Sequence, residues 1–225
     1  MKLFFYAAML VSSLTACAQK NNTMSHSPAD QQLTAAIKGD DPVAVANALQ
    51  AGANKEVRDG ENRTPLMNTL YQNRLKAATA LIRAGASVNA QDKMQNTPFL
   101  YAGASGFTDI VRLSMKSGAD YTIFNRYNGS ALIPACERGH VETVAAILED
   151  KKFPIDHINR LGWTGLLEAI ILGNGGEAHT KIVQLLINAG ANLNIADHDG
   201  ITPLAHARKK GQKEIAKLLE NAGAR

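Results

Sequence analysis

Short motifs recur along this chain at a nearly constant interval, and this periodicity restricts the possible fold more than any other feature. The first series consists of tripeptides that mostly begin with threonine: Thr64-Pro65-Leu66, Thr97-Pro98-Phe99, Ser130-Ala131-Leu132, Thr164-Gly165-Leu166 and Thr202-Pro203-Leu204. Successive members lie 33, 33, 34 and 38 residues apart. Gly-Ala pairs that begin at residues 52, 85, 118, 190 and 223 form a second series. Such self-similarity indicates a repeat protein, in which similar units stack side by side.

Each unit predicts a pair of helices. The hydroxyl of Thr64 can accept a hydrogen bond at a helix N-terminus, and Pro65 then occupies the first helical position, where its missing N–H is not needed. Apolar residues recur at helical spacing before Gly85 and Gly190, and a glycine in the left-handed conformation commonly ends a helix. The polar stretch that follows is typical of a turn. The predicted unit is therefore helix, turn, helix and polar connection.

These units resemble the ankyrin repeat over about residues 31–225, most clearly in "DGENRTPLMNTL" and "DHDGITPLAHARKKGQKEIAKLLENAGA". The resemblance implies an all-α, ankyrin-repeat α-solenoid in which the polar connections project as β-hairpin fingers. It divides the region into about six units, with the approximate bounds 31–58, 59–91, 92–124, 125–158, 159–196 and 197–225. The first unit keeps Gly52 but has no Thr-Pro-Leu motif, so we expect a degenerate N-terminal cap.

Stacked units bury the apolar faces that a single unit exposes. We expect the following leucines in the core, each worth about 1.5–3 kcal/mol if fully buried: Leu81, Leu148, Leu185, Leu186, Leu218 and Leu219. The family's usual histidine after Thr-Pro-Leu is missing from every copy, where Met67, Leu100, Ile133, Leu167 and Ala205 stand instead. Part of the internal stabilisation must therefore come from other residues.

The first residues predict a bacterial lipoprotein leader. Met1-Lys2 precedes an apolar stretch, residues 3–11, that is too short to span a bilayer, since spanning takes about 20 residues. Leu14-Thr15-Ala16-Cys17 resembles a lipobox, and bacterial lipoproteins with ankyrin repeats are similar to this chain. The resemblance implies a signal peptide over residues 1–16 and acylation of Cys17. Residues 17–30 are polar and predict a flexible tether.

Acylation of Cys17 would fix the location of the protein, because three acyl chains make a stable membrane anchor where one chain gives only marginal binding. Ala18 rather than aspartate follows the cysteine, which in enteric lipoproteins favours the outer over the inner membrane. We therefore expect a periplasm-facing protein of the bacterial envelope. The alternative is a soluble secreted protein that is cleaved in the same region.

The charge of the chain argues against nucleic acid as a partner. The formal net charge of +4 falls to +3 when Lys2 leaves with the leader, because residues 1–16 contain no acidic residue. The tightest basic cluster, residues 208–213, lies on a predicted terminal helix and is typical of a solvent-exposed face. We expect a monomer that binds no nucleic acid and touches a membrane only through its lipid.

Three local patterns suggest chemistry, and each has a structural alternative. "GNGGEAHTK", residues 173–181, resembles a phosphate-binding loop, but no glycine precedes Lys181 and a helix is predicted before it. Asp197-His198-Asp199 coincides with a predicted turn, where aspartate is common. Cys136 and His140 could form a nucleophile–base pair, but a lone cysteine is more typical of a small buried side chain. We predict no catalytic residue, no metal site and no cofactor.

The interval of 38 residues places five extra residues in unit five, between Leu172 and Ile182. We interpret residues 173–180 as a lengthened turn between the two helices of that unit. Insertions in repeat proteins map to loops on one face, which is often a binding face. The turn is therefore either a partner-contacting lip of the groove or a tolerated surface insertion.

A binding module is the remaining interpretation, since solenoids present an extended concave surface. The resemblance implies contacts from the fingertips and first helices, carried over to Arg58, Arg63, Tyr71, Lys93, Tyr101, Arg126, Tyr127, Arg138, Arg160, Trp163, Ile171, Leu172 and His198. Arginine, tyrosine and tryptophan are frequent in binding hot spots. Trp163 either anchors a partner or packs against the neighbouring finger.

Basic residues at successive fingertips, namely Arg58, Lys93, Arg126 and Arg160, predict an acidic surface on the protein partner. The predicted function is non-enzymatic protein binding at the envelope. Two specific roles stay open. The protein could be an immunity or inhibitor protein against an envelope-targeted toxin, or a scaffold or chaperone for an envelope enzyme, for example in stress defence.

Overall fold

The computed structural model describes residues 27–225. Cys17, the predicted signal peptide and most of the predicted tether lie outside these residues. The described part of the chain forms twelve α-helices and no β-strand. The helices are α1 (Pro28–Lys38), α2 (Pro42–Gln50), α3 (Pro65–Tyr71), α4 (Leu75–Arg83), α5 (Pro98–Ser105), α6 (Thr108–Lys116), α7 (Leu132–Glu137), α8 (Val141–Leu148), α9 (Gly165–Ile171), α10 (Glu177–Asn188), α11 (Pro203–Lys209) and α12 (Lys213–Asn221). Within residues 27–225 no helix has the length and apolar character to cross a bilayer.

The helices form two layers. Each odd-numbered helix packs against the even-numbered helix that follows it, and this pair is one unit. Odd-numbered helices also contact the next odd-numbered helix, and even-numbered helices the next even-numbered one. Six stacked pairs therefore form a solenoid, which confirms the predicted all-α architecture.

Threonine caps begin four of the first helices, as predicted. The hydroxyls of Thr64, Thr97, Thr164 and Thr202 each accept a hydrogen bond of 3.1–3.3 Å from the backbone N–H three residues further on. After the second helix of unit two, Gly85 has a φ of 78°, in the left-handed region that favours glycine. The two sequence series thus mark the beginning and the end of the helix pairs in units two, three, five and six.

The first unit begins earlier than the sequence analysis places it. Ser27 caps α1 and forms a capping box with Asp30, while Pro28 stands in the first turn. Residues 28–30 are therefore helical rather than the end of a flexible tether. Their low apolar content suggested a linker, but serine followed by proline and aspartate is a helix start signal.

The fingers are turns rather than the β-hairpins that the resemblance implies. In each finger one backbone hydrogen bond joins the ends of the two arms, such as Asp59 N–H to the Arg63 carbonyl at 3.1 Å, and a second closes the turn between them, such as Asn62 N–H to the Asp59 carbonyl at 2.9 Å. Neighbouring fingers are also linked by isolated bonds, for example from Arg160 N–H to the Tyr127 carbonyl at 3.0 Å. Isolated bonds of this kind are too few for a strand ladder.

The core runs continuously through all the units. Leu81, Leu186 and Leu219 are fully buried, as predicted, and Leu148 is also buried. Leu185 and Leu218 are only partly buried; Leu185 packs on the edge of the core, and Leu218 lines a depression between α10 and α12.

Unit four departs from the regular pattern. Its α7 has six residues, and Ala131 precedes it without a side-chain cap. The buried Ser130 hydroxyl, at the position of the other threonines, makes no hydrogen bond. The segment after α8 has no glycine at the usual place, and Phe153 fills the core there against Phe99, with ring centroids 6.4 Å apart.

The extra residues of unit five lengthen a helix more than a turn. Helix α10 has 12 residues, whereas α8 has 8 and α12 has 9. Residues 172–176 alone connect α9 to α10, so the prediction of a turn over 173–180 is correct only for its first half. Because helix α9 rather than a strand precedes the glycines, the phosphate-loop alternative is excluded.

Candidate binding groove

One acceptor side chain shapes each fingertip. It stands five residues before the first-helix cap, as Asp59, Asp92, Asn125, Asn159 and Asp197. In every case one of its oxygens accepts hydrogen bonds of 2.8–3.1 Å from the backbone N–H groups two and four residues further on. This is the local side-chain bonding that favours Asp and Asn in turns. The fingertips are thus ordered before any partner arrives.

The same side chains tie the fingers to the first helices. The second oxygen of Asp59 accepts a bond of 3.1 Å from Asn68, and that of Asp197 lies 2.7 Å from His206 Nε2. Asn68 and His206 hold the same position, nine residues after the finger acceptor. These bonds supply stabilisation that the missing family histidine would otherwise give.

A groove opens between the fingers and the first helices of units three to five. Its cavity measures about 510 Å³, and residues of α5, α7, α9 and three fingers line it. The structure brings five of the predicted residues together here, namely Tyr101, Tyr127, Arg138, Arg160 and Leu172. At its edge Tyr127, Leu161 and Leu172 are 57%, 56% and 50% exposed. Large exposed apolar side chains around a concavity are typical of a partner-binding surface.

The groove has a buried carboxyl group in its lining. Glu168 is only 5% exposed, and its Oε1 accepts a bond of 2.8 Å from Asn159 Nδ2. Burial, followed by the negative charge of Glu137, raises the pKa of Glu168 from 4.5 to about 7. The bond from Asn159 and the charge of Arg138 lower this pKa, but their effects are smaller. This group therefore takes up a proton at a much higher pH than an exposed glutamate does.

Unit five reverses the usual chemistry of finger and helix. In units two and six a finger aspartate faces a hydrogen-bonding group on the first helix, whereas here the finger has the neutral Asn159 and the helix has the acid Glu168. In unit five the acidic residue therefore lies on the first helix, in the lining of the groove, instead of on the finger. Sequence reasoning missed both residues, although the spacing of nine residues, shared with Asp59 and Asn68, pointed to them.

Arg58 and Arg63 lie apart from this cavity, in a depression of about 350 Å³ at the N-terminal end of the solenoid. Arg58 Nη1 donates to the carbonyls of Asn62 and Gln91, at 2.8 Å each, and so links adjacent fingers. The Arg63 guanidinium lies over the Tyr71 ring, 4.1 Å from its centroid. Both arginines are partly buried and stabilise the solenoid itself.

Tyr71 is likewise engaged within the protein. Its hydroxyl donates to Asp92 at 2.8 Å, and its ring lies 4.4 Å from that of Tyr101 between centroids. Burial raises the pKa of Tyr71 above its ordinary value. Tyr71 therefore supports Tyr101, which lines the groove, rather than lining it itself.

The predicted row of basic fingertips is interrupted. Arg58 is held by backbone carbonyls, and Lys93 forms an exposed ion pair with Glu61 at 3.5 Å. Arg126 lies over the Tyr127 ring, 4.6 Å from its centroid, and is exposed like Arg160. Three of the four groups thus contact other groups of the same protein, which weakens the prediction of a continuous basic ridge.

Three predicted residues lie outside the groove cavity. The backbone of Trp163 closes its finger on Asn159, and its side chain is half-buried. The His198 ring packs so closely on Gly162 that a Cβ there would lie 2.5 Å from its Cδ2. Ile171 is half-buried like Trp163, whereas His198 is exposed apart from its contact with Gly162.

The inserted segment faces away from the groove. Residues around Gly175 and Lys181 line a shallow depression between α10 and α12, and none of residues 173–181 lines the groove cavity. The buried His179 joins the segment to unit four, because its two ring nitrogens lie 2.9 Å from Asn174 Oδ1 and 2.8 Å from the Glu137 carbonyl. This geometry favours a surface insertion over a lip of the groove.

The cysteine and the histidines show no catalytic arrangement. Cys136 is fully buried, and burial raises the pKa of its thiol, so it stays protonated and unreactive. Burial also lowers the pKa of His140, which bonds to the Ala104 carbonyl rather than to the thiol. Within residues 27–225, no three His, Cys, Asp or Glu side chains gather as a metal site requires.

A larger and more open cavity of about 1060 Å³ lies among the second helices of the first three units. Its charged lining residues are Lys76, Arg83 and Asp109, and its remaining surface is mostly apolar. None of the sequence-predicted binding residues lines it. The groove is therefore the better candidate, because fingers and first helices converge there.

Comparisons with known proteins agree with this architecture. Residues 33–125 match a family model described as ankyrin repeats in three copies, and residues 169–220 match one described as ankyrin repeats in many copies. The ankyrin repeat protein YahD of Escherichia coli (strain K12) is 40% identical over 198 residues, which cover 88% of this chain and 97% of YahD.

Solved structures extend the likeness to three dimensions. The crystal structure of an ankyrin repeat domain from Acinetobacter baumannii is 50% identical with a TM-score of 0.81, covering 86% of this chain and 98% of that domain. The ankyrin repeat domain of Bcl-3, a member of the IκB protein family, is 26% identical with a TM-score of 0.73 and 86% coverage of both chains.

Proposed function

Because the chain belongs to the ankyrin-repeat family, we propose that it is a non-enzymatic protein-binding module that holds a partner protein in the groove of units three to five. The observation that carries this proposal is the cavity of about 510 Å³ with Tyr127, Leu161 and Leu172 exposed at its edge. Solenoids bind through such extended concave surfaces. Ordered fingertips lower the entropic cost of binding, because little has to become fixed on contact.

Photo-crosslinking in living cells tests this function. A photoreactive amino acid at position 161, on the groove edge, should trap one dominant protein, whereas the same group at position 142, exposed on α8, should not. Equal adducts from both positions, or none from position 161, would contradict groove binding. A toxic enzyme as the trapped protein would indicate an immunity role, and an envelope enzyme a scaffolding role.

We also propose that acidic residues of the partner contact basic residues at the rim of the groove. Arg126 and Arg160 are exposed there, and positive charges at a rim mainly steer association. The double change Arg126→Glu and Arg160→Glu should reduce the crosslinking yield from position 161. An unchanged yield would rule out this contact while leaving groove binding intact.

The proposed location is the bacterial envelope, with the domain held in the periplasm, preferably at the outer membrane, by lipid on Cys17. Support comes from the lipobox-like Leu14-Thr15-Ala16-Cys17 and from the short interval to Ser27, which caps the first helix. Ten residues reach at most about 35 Å, so the groove would stay close to the membrane. Cys17→Ala should move the protein out of the membrane fraction, and wild-type protein found in the cytosol with its leader intact would contradict the proposal.

A further inference from the structure

We propose that the groove recognises a lysine or arginine side chain of its partner, whose positive charge pairs with the carboxylates of Glu168 and Glu137. This inference rests on the proposed function and adds the chemistry of the bound segment. It differs from the acidic rim contact, because it concerns the interior of the cavity.

The first support is a pair of acids without an ion-pair partner. Glu168 and Glu137 line the same cavity as Arg138 and Arg160, but no basic side chain within residues 27–225 forms an ion pair with either acid. Arg138 donates its guanidinium to the Ala104 carbonyl instead, and Arg160 is exposed at the rim. The single hydrogen bond from the neutral Asn159 is a weak substitute for a counter-charge. A partner's cation would supply what the protein itself does not.

The second support is the distribution of polarity in the cavity. The side chains of Leu161, Leu172 and Tyr127 form an exposed apolar edge, while Glu168 presents only a small exposed part, 5% of its surface, to the cavity that it lines. Lysine and arginine combine an apolar stem with a charged end, so they match such a gradient. An acidic side chain would instead face two carboxylates, at a cost that specific interfaces avoid.

The charged groups around Glu168 make this contact depend on pH. From α7 and its end these groups are Glu137 and Arg138, and from the finger Arg160. Two neutral or bonded side chains lie beside them: the protonated thiol of Cys136, which senses the charge of Glu168, and His179 of α10, which bonds to the Glu137 carbonyl. Since the pKa of Glu168 is raised to about 7, a cation must displace a proton below that pH. Affinity for the cation should then fall about tenfold for each pH unit below 7.

Small probes test the inference without knowledge of the partner. The probes are the N-acetyl, N-methylamide derivatives of arginine, lysine, citrulline and glutamate, titrated at millimolar concentrations into the full-length chain. Carbon and nitrogen NMR signals report on the Glu168 carboxyl group and the Asn159 amide. The arginine and lysine probes should shift both signals saturably near pH 8 and far more weakly near pH 6, whereas citrulline and glutamate should not.

Matched variants distinguish binding of the probe at Glu168 and Glu137 from a general effect of the protein's charge on binding. Glu168→Gln keeps an acceptor for Asn159 and should abolish saturable binding of the arginine probe, and Glu137→Gln should weaken it several-fold. Glu142→Gln, an exposed change of the same charge on α8, should leave it unchanged. Equal binding of citrulline and arginine, unchanged binding by Glu168→Gln, or no saturable shift would overturn the inference.

The two proposals fail in different ways. If crosslinking from position 161 traps a partner but Glu168→Gln leaves that yield and the probe titration unchanged, the groove binds protein without a basic side chain. If crosslinking fails while the arginine probe binds, the cavity recognises cations but groove capture of a protein is wrong.

Discussion

Replacing the buried acid of the groove should change how stability depends on pH. The pKa of Glu168 is raised in the folded protein, so the folded state holds this proton more tightly than the unfolded chain does. The stability that protonation provides is fully present below pH 4.5 and is lost as pH rises through about 7. In Glu168→Gln the side chain is neutral at every pH, and its amide oxygen still accepts from Asn159.

The size of the effect follows from the same values. Raising the pKa from 4.5 to about 7 corresponds to an upper limit of about 3 kcal/mol above pH 7. We therefore expect the difference in unfolding free energy between Glu168→Gln and wild type to shift in favour of the variant by up to about 3 kcal/mol between pH 4.5 and pH 8.

Urea unfolding followed by circular dichroism measures this difference at each pH, and equal m-values would show that both proteins expose the same surface. Glu142→Gln, exposed on α8, serves as a control and should leave the pH profile of wild type unchanged. If the free-energy difference between Glu168→Gln and wild type stays constant across pH, the group is not titrating in a buried site and the reasoning is refuted.

Three further predictions concern other parts of the solenoid. Asp197→Ala removes the acceptor of two backbone N–H groups and the partner of His206, so unfolding free energy should fall by about 1–3 kcal/mol, and a loss below a few tenths in urea titration would contradict a role in shaping the finger. Cys136 should react with a thiol reagent only in denaturant, since its thiol is buried and protonated; rapid labelling of the native protein would disprove this. Gly173→Ala would place a Cβ 2.0 Å from the Ala169 carbonyl oxygen, and should lower the melting temperature by several degrees, whereas Gly60→Ala, with open space around it, should not.

The helices could be predicted from sequence because their signals are local. Thr64 and Thr202 cap helices within a few residues, and a glycine at the end of a helix acts through its own φ. The start at Ser27 was missed, although its capping box with Asp30 is equally local, because composition outweighed the motif. The fingers were expected as hairpins from resemblance alone, and a strand needs a ladder that these short arms cannot build.

The groove was predictable only in outline. Tyr101, Tyr127 and Leu172 were found because repeat position alone assigns them to fingertips and first helices. The capture of Arg58 by the Gln91 carbonyl depends on the distance between two fingers, which no single unit reveals. Glu168 was missed because a charged residue in a sequence normally suggests an exposed side chain, whereas this one is only 5% exposed.

In unit four, α7 has six residues and no side-chain cap, and no glycine stands at the usual place after α8, so this unit lacks two helix-end signals that other units carry. In a solenoid, global stability is approximately the sum of unit and neighbour terms, so the weakest unit is where the chain separates into cooperative blocks. Hydrogen exchange in α7 and α8 should accordingly report opening events that leave the flanking units folded. The groove runs from Leu100 in unit three to Leu172 in unit five and so crosses unit four. A partner bound in the groove would contact the units on both sides of unit four, so these opening events should become rarer when the groove is occupied.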